Sequence, residues 1–141
     1  MKSIVSVITA VLLMLTVFAA CTAGEHGTEE TTEVLQTNMN TYEQITPQEA
    51  KRLMESEKDY IILDVRTQEE YDESHIEGAI LIPDYEIGEK AESILKDKEQ
   101  LILVYCRSGR RSKLASDKLA AIGYTNIKEF GGIIDWPYGT V

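Results

Sequence analysis

From Tyr42 to Val141 the sequence predicts an α/β domain with a mainly parallel central sheet and helices on both faces. Two observations carry this. Short apolar runs of strand length alternate with segments bearing helix-capping signals, the pattern of successive strand-helix-strand units. The runs are continuously apolar, as strands covered on both sides are, and do not alternate with polar residues. The size of the chain, 141 residues, fits one domain with an appendage and is enough to bury a core without disulfides or metals.

Thr46-Pro47-Gln48-Glu49 opens the first helix: a capping hydroxyl, proline at the first helical position and glutamate three residues after the cap. It runs to about Ser56 with Ala50, Leu53 and Met54 on one face. Tyr60 to Leu63, ending at Asp64, is a buried strand. Thr67-Gln68-Glu69-Glu70 repeats the capping box and starts a short helix ending near Ser74, whose acidic residues Glu69, Glu70, Asp72 and Glu73 are expected to form a solvated face. Ala79 to Ile82, closed by Pro83, is a second buried strand. Ile87 to Leu95 reads as a helix with Ile94 and Leu95 inward. Leu101 to Tyr105, ending at Cys106, is the strongest strand signal in the chain. A further helix carries Leu114, Ala115, Leu119 and Ile122 and stops at Gly123. Ile127 to Phe130 is the last short strand.

Residues 1–20 stand apart. Met1 and Lys2 give a positive start, and Ile4 to Ala20 is uncharged and slightly short of the ~20 apolar residues that span a bilayer. This is an export signal. Phe18-Ala19-Ala20-Cys21 resembles the lipobox of bacterial lipoproteins, in which the cysteine receives a diacylglycerol and becomes the first mature residue; Phe18 departs from the usual leucine. An ordinary signal cut near Cys21 and an uncleaved anchor are the alternatives, and all three place the domain outside the cytoplasm. Residues 21–41 would then be the lipid-anchor cysteine and a tether. From Thr22 to Thr41 there are six threonines, four glutamates and no lysine or arginine, too little apolar surface to offset chain entropy, so disorder is expected.

Composition excludes several classes. Fourteen Lys and Arg against 24 Asp and Glu leave a net charge of −10, which argues against a nucleic-acid binder. Cys21, Cys106, His26 and His75 are too scattered for a disulfide framework or a structural zinc site, so no metal or other cofactor is expected.

Ligands of open parallel sheets bind beyond the carboxyl ends of the strands, and Cys106 ends the strand that should be central. The run Cys106-Arg107-Ser108-Gly109-Arg110-Arg111-Ser112-Lys113 holds four cations and no acid, inside a domain with thirteen cations and twenty acids. A thiol followed by a tight loop and a helix N-terminus faces unpaired backbone N–H groups and the positive end of the helix dipole. Such settings bring a cysteine from about 8.5 into the range of roughly 3.5–7.5, where it is a thiolate at neutral pH. Gly109 lets the loop curl so that its amides converge into an anion-binding nest.

Cys106 to Arg111 is similar to the six-residue active loop, Cys-x-x-Gly-x-Arg, of the rhodanese homology domain. Asp64-Val65-Arg66, Glu70-Tyr71 and His75-Ile76-Glu77-Gly78-Ala79 resemble its first signature and Gly131-Gly132-Ile133-Ile134-Asp135-Trp136 its closing one, so the resemblance covers residues 42–141. Ser74 departs from the family's usual glycine. The resemblance implies a sulfurtransferase of the thiosulfate or persulfide type, rhodanese-like in fold. Cys106 would take a sulfane sulfur from a small sulfur-containing anion, carry it as a persulfide and pass it to a thiol or cyanide acceptor.

The resemblance also implies roles for the neighbours. Arg107, Ser108, Gly109, Arg110, Arg111 and Ser112 would line the substrate, with Arg111 the expected forked contact to the anionic donor. Arg107 and Arg110 are either further contacts or solvated rim charges that steer. Asp64 and Arg66 would by the resemblance support the loop, while an Asp-Arg pair at a strand end is more often purely structural, the reading preferred here. His75 is expected to hydrogen-bond a turn rather than act as a base, and Trp136 to anchor the core. A monomer, lipid-anchored through Cys21 to the cell envelope, is the expected form. The rivals are a non-catalytic sulfur-sensing or binding lipoprotein and a cysteine phosphatase or arsenate reductase. The second resembles Cys-x5-Arg, which would place arginine at position 112, where the sequence has Ser112.

Overall fold

The computed structural model describes residues 41–141. Residues 1–40, which hold the expected export signal, Cys21 and all but Thr41 of the expected tether, lie outside the described residues.

The elements run β1 (Glu43–Gln44), α1 (Pro47–Ser56), β2 (Tyr60–Asp64), α2 (Gln68–Glu73), β3 (Ile80–Leu81), α3 (Ile87–Ile94), β4 (Leu101–Cys106), α4 (Arg110–Ala121), β5 (Ile127–Gly132) and a single 3-10 turn, Ile133–Asp135. The five strands form one sheet in the order β1-β5-β4-β2-β3, and each recorded pairing is parallel. The α/β reading of the sequence holds, with Cys106 ending the middle strand of the sheet. β1 and the 3-10 turn went unread, being too short to leave a periodic signal.

Both predicted capping boxes form. Thr46 accepts from the Glu49 N–H while Glu49 accepts from the Thr46 N–H, and Thr67 and Glu70 reciprocate in the same way. Each box satisfies donors that a helix start leaves bare, worth about 1 kcal/mol per cap.

The strands sort their side chains by the period of two. Leu63, Ile102, Val104, Cys106 and Ile127 face α3 and α4, packing with Ile87, Ala91, Leu95, Ala115 and Leu119. Ile62, Leu103, Tyr105 and Phe130 face the other way, against Ala50, Leu53 and Met54 of α1 and Tyr71 of α2. Every residue of β4 is buried, as expected for a central strand covered on both faces.

Two inward assignments are corrected. Ile94 and Leu114 are 44% and 47% exposed. Leu95, one residue past the end of α3, turns inward in place of Ile94. In α4 the face is set by Ser112, Ala115, Ser116 and Leu119, a stripe of small residues that lets the helix lie close on the sheet and leaves Leu114 on the far side.

β4 and β5 do not stay in step. Val104 pairs with Glu129 but Cys106 pairs with Gly132, so β5 carries one extra residue and bulges where the strands reach the loop. Gly131 absorbs the bulge with φ of +93°, a conformation that costs other residues roughly 1–2 kcal/mol. The bend brings Gly132 under the Cys106 loop: a Cβ there would sit 2.2 Å from the Arg107 carbonyl oxygen.

Candidate active site

The site is built on the carboxyl end of β4. Cys106 is buried, at 1% exposure, and the chain turns immediately through Arg107-Ser108-Gly109 into α4. Gly109 is the N-cap of α4 with φ of +92°, and that left-handed turn aims its N–H back at the sulfur, 3.1 Å from Cys106 Sγ. Burial pushes the Cys106 thiol up. Hydrogen bonding from the Ser112 hydroxyl and from the backbone of Ser112, Ser108 and Gly109 outweighs it, and the thiol lies below its ordinary value. The geometry is an amide cradle at a helix N-terminus with a nucleophile at its centre.

The structure brings Arg107, Ser108, Gly109, Arg110, Arg111 and Ser112 around the sulfur in different ways. Arg107 and Arg110 are exposed, and neither joins an ion pair among the described residues. Arg111 does not wait for an anionic donor. Its Nη1 and Nη2 donate to Glu70 Oε2 and Oε1 at 2.6 and 2.8 Å, so the forked contact expected of it is made with a carboxylate of α2. Glu70 therefore does not belong to a solvated acidic face. The Arg111 hydrogen bonds hold its carboxyl down at about 2. Ser112 is fully buried, its hydroxyl 2.6 Å from Glu129 Oε1 and 3.0 Å from the Gly109 carbonyl oxygen.

Asp64 and Arg66 sit beside this loop as a buried pair, at 0% and 4% exposure. Arg66 Nη2 donates to Asp64 Oδ2 at 2.6 Å, and Nε lies 3.0 Å from both carboxylate oxygens. Arg66 Nη2 also donates to the Ser74 carbonyl oxygen at 2.6 Å, clasping the end of α2 to the end of β2. Ser74 itself has extended backbone, φ −171° and ψ 147°, a shape any residue adopts, so serine replaces the family's glycine without strain. Arg66, Glu70, Glu73, Arg107, Ile133 and Ile134 line a cleft of about 290 Å³ next to the loop.

His75 stacks on the Tyr71 ring at 3.8 Å, and its Nδ1 lies 2.9 Å from the Tyr71 carbonyl oxygen. A carbonyl only accepts, so Nδ1 carries the proton and the ring closes a turn. Trp136 packs on Phe130, ring centroids 5.5 Å apart, and lies against the core as expected.

Two participants escaped the sequence reading. Glu129 is 2% exposed on β5, and the signal for it was a glutamate at an inward position of an apolar strand. Gly132 is the other, legible only as half of a glycine pair. Cys21 lies outside the described residues.

The rhodanese-like domain family model matches residues 46–136. The chain is 40% identical over 73 residues to the thiosulfate sulfurtransferase PspE of Escherichia coli, covering 52% of this chain and 70% of that protein. It is 31% identical over 99 residues to the adenylyltransferase and sulfurtransferase UBA4 of Candida albicans, covering 65% of this chain but 23% of that longer protein. Among solved structures, a rhodanese with anions from E. coli superposes with a TM-score of 0.55 at 36% identity, over 58% of this chain and 96% of the other. A domain of matching sequence, matching fold and a strand-end cysteine within it places the chain in the rhodanese-like domain family.

Proposed function

We propose that the protein is a sulfurtransferase that moves a sulfane sulfur from thiosulfate, or from a persulfide or polysulfide, to a thiol or cyanide acceptor through a persulfide on Cys106. The observation that carries this reading is the Gly109 N–H at 3.1 Å from Cys106 Sγ, part of an amide cradle at the N-terminus of α4. Such a cradle holds a sulfur anion in place and leaves it free to attack.

In the first step the Cys106 thiolate attacks the outer sulfur of thiosulfate. A new sulfur–sulfur bond forms, the old one breaks, and sulfite leaves with the bonding pair. The outer sulfur of the persulfide then accepts attack by the acceptor thiolate or cyanide, and the Cys106 thiolate departs with the pair. No redox cofactor is needed, since the sulfur passes between nucleophiles at each step. The loop amides stabilise the thiolate at both ends of the cycle. Arg107 and Arg110, exposed and unpaired among the described residues, draw the anionic donor toward the loop, while Arg66 and Arg111 keep α2 in place. The relative named thiosulfate sulfurtransferase and the similar E. coli rhodanese solved with anions support an anionic donor.

Export and lipid attachment at Cys21 are proposed from residues 1–21 alone, with a monomer facing the envelope. Fatty-acid labelling of the wild-type chain and its loss in Cys21→Ser test the anchor. For the chemistry, purified chain is given thiosulfate and, separately, a polysulfide. The expected result is a mass gain of one sulfur atom at the peptide containing Cys106, with turnover to cyanide or a thiol. Cys106→Ser abolishes both, and turnover surviving that change overturns the assignment.

A further inference from the structure

The cleft beside the Cys106 loop, about 290 Å³ and lined by Arg66, Glu70, Glu73, Arg107, Ile133 and Ile134, has an unusual charge balance. Glu70 is fully engaged: both of its oxygens accept from Arg111, and Oε2 also accepts from the Thr67 N–H. The charge of Arg66 is met by Asp64. One cation and one anion are left, Arg107 and Glu73. Both are exposed and neither joins an ion pair among the described residues, so two opposite charges line one cleft without meeting across it. Glu73 has no structural reason for its charge. It is the last residue of α2, where a negative charge opposes the helix dipole.

Arg66 adds a directed donor. It is 4% exposed, and its Nε and Nη2 are taken by Asp64 and the Ser74 carbonyl oxygen. Nη1 donates to no group among the described residues, yet it is not sealed from solvent, since the buried side-chain polar atom that lacks a partner among them is Ser116 Oγ. A guanidinium held this firmly and open at one nitrogen is half of an oxyanion site already formed. Ile133 and Ile134 supply the apolar wall. Ile134 is 64% exposed, and its N–H donates to the Arg107 carbonyl oxygen at 3.3 Å, which ties this wall to the residue that follows Cys106.

We propose that the cleft is the acceptor subsite and takes a small thiol bearing both an ammonium and a carboxylate, an amino-acid or short-peptide thiol. Its carboxylate meets Arg107 and Arg66 Nη1, its ammonium meets Glu73, and the carbon chain between them lies on Ile133 and Ile134. A doubly anionic donor gains from Arg107 but is repelled by Glu73, so the balance of the cleft suits the acceptor. The inference rests on the sulfurtransferase reading. The acceptor thiolate attacks the outer sulfur of the Cys106 persulfide, a sulfur–sulfur bond forms, the Cys106 thiolate leaves with the bonding pair, and the product is the persulfide of the acceptor. Sulfite has left before the acceptor enters, so Arg107 serves donor and acceptor in turn.

The test compares free cysteine with N-acetylcysteine, which lacks the ammonium, and with cysteine ethyl ester, which lacks the carboxylate, as acceptors for the full chain. Ratios of kcat/KM between two thiols, each variant against wild type, cancel differences in thiol reactivity and in loading by the donor. Glu73→Gln lowers the preference for cysteine over N-acetylcysteine roughly threefold, and Glu73→Lys lowers it roughly tenfold, as exposed ion pairs made and then reversed are worth. Arg107→Gln lowers the preference for cysteine over its ethyl ester roughly threefold. Binding is read without turnover by titrating S-methylcysteine, which keeps both charges and has no thiol, into the wild-type chain and Glu73→Lys. The amide resonances of Ile133 and Ile134 move in wild type, and Glu73→Lys needs roughly tenfold more ligand for the same shift.

Any of three results overturns the inference: a cysteine to N-acetylcysteine preference in Glu73→Lys equal to that of wild type, an unchanged cysteine to ester preference in Arg107→Gln, or amides of Ile133 and Ile134 that S-methylcysteine leaves in place. Unchanged preferences would mean that the acceptor meets the loop alone, as a protein thiol would. Failure of the sulfurtransferase reading shows separately, as the absence of a persulfide on Cys106, whereas failure of the acceptor subsite leaves persulfide formation and turnover intact.

Discussion

Arg111 at the start of α4 and Glu70 in α2 meet through two parallel hydrogen bonds, 2.6 and 2.8 Å long, across 41 positions of sequence. Glu70 also caps its own helix, accepting from the Thr67 N–H at 3.1 Å. One carboxylate thus ends a local motif and ties a remote helix. Together with the Arg66 clasp on Ser74, it makes α2 a brace between the end of β2 and the helix that follows the Cys106 loop. Arg66 and Arg111 are therefore structural, whereas Arg107 and Arg110 are exposed and join no ion pair among the described residues.

Glu70 is held at about 2 against an ordinary 4.5, chiefly by Arg111. A carboxyl lowered on folding stabilises the folded state above its unfolded value, and that stabilisation is lost as pH falls toward 2. Glu70→Gln is expected to unfold more easily than wild type at pH 7, by about 1 kcal/mol given partial exposure. The gap should close between pH 4.5 and 2, which denaturant melts across that range will measure.

Removing one partner of the Asp64–Arg66 pair strands a buried charge. Asp64→Ala is expected to lose about 3–5 kcal/mol in chemical denaturation. Asp64→Ala combined with Arg66→Met, which removes both charges, should recover a large part of that loss. A double variant as unstable as the single one would show that the pair matters for its clasp on Ser74 and not for its charge.

Gly132 carries no φ constraint, at −117°, but its hydrogen faces backbone. A Cβ would lie 2.2 Å from the Arg107 carbonyl oxygen and 2.6 Å from Ser108 Cα, neither of which is a side chain able to swing away. Gly132→Ala is expected to destabilise by about 1–3 kcal/mol and to displace the loop. In the folded protein, alkylation of Cys106 at neutral pH should slow, because the amides no longer converge on the sulfur.

Wild-type Cys106 should react with iodoacetamide along a titration whose midpoint lies below the ordinary thiol value of about 8.5. Hydrogen bonding from the Ser112 hydroxyl and from the backbone of Ser112, Ser108 and Gly109 outweighs burial there. A midpoint at or above the ordinary value would mean that burial dominates and that the cysteine is a packing residue.

Much of the fold was legible from residues 42–141 because its signals are local. Two capping boxes, continuous apolar runs and a glycine stop fix where helices and strands begin and end, and strand-helix alternation fixes a parallel sheet. Cys106 was legible too, since a thiol between a buried strand and a cationic loop has one natural place in such a sheet. Tertiary structure alone decided how the charges are spent. Arg111 looked free until the fold set Glu70 opposite it, and Glu129 was an ordinary strand residue until α4 packed over β5 and set the Ser112 hydroxyl 2.6 Å from its carboxylate. These are contacts between positions 17 and 41 apart in the chain. Local propensity carries no information about which distant carboxylate a given arginine or hydroxyl will meet, because that is set by the packing of whole elements.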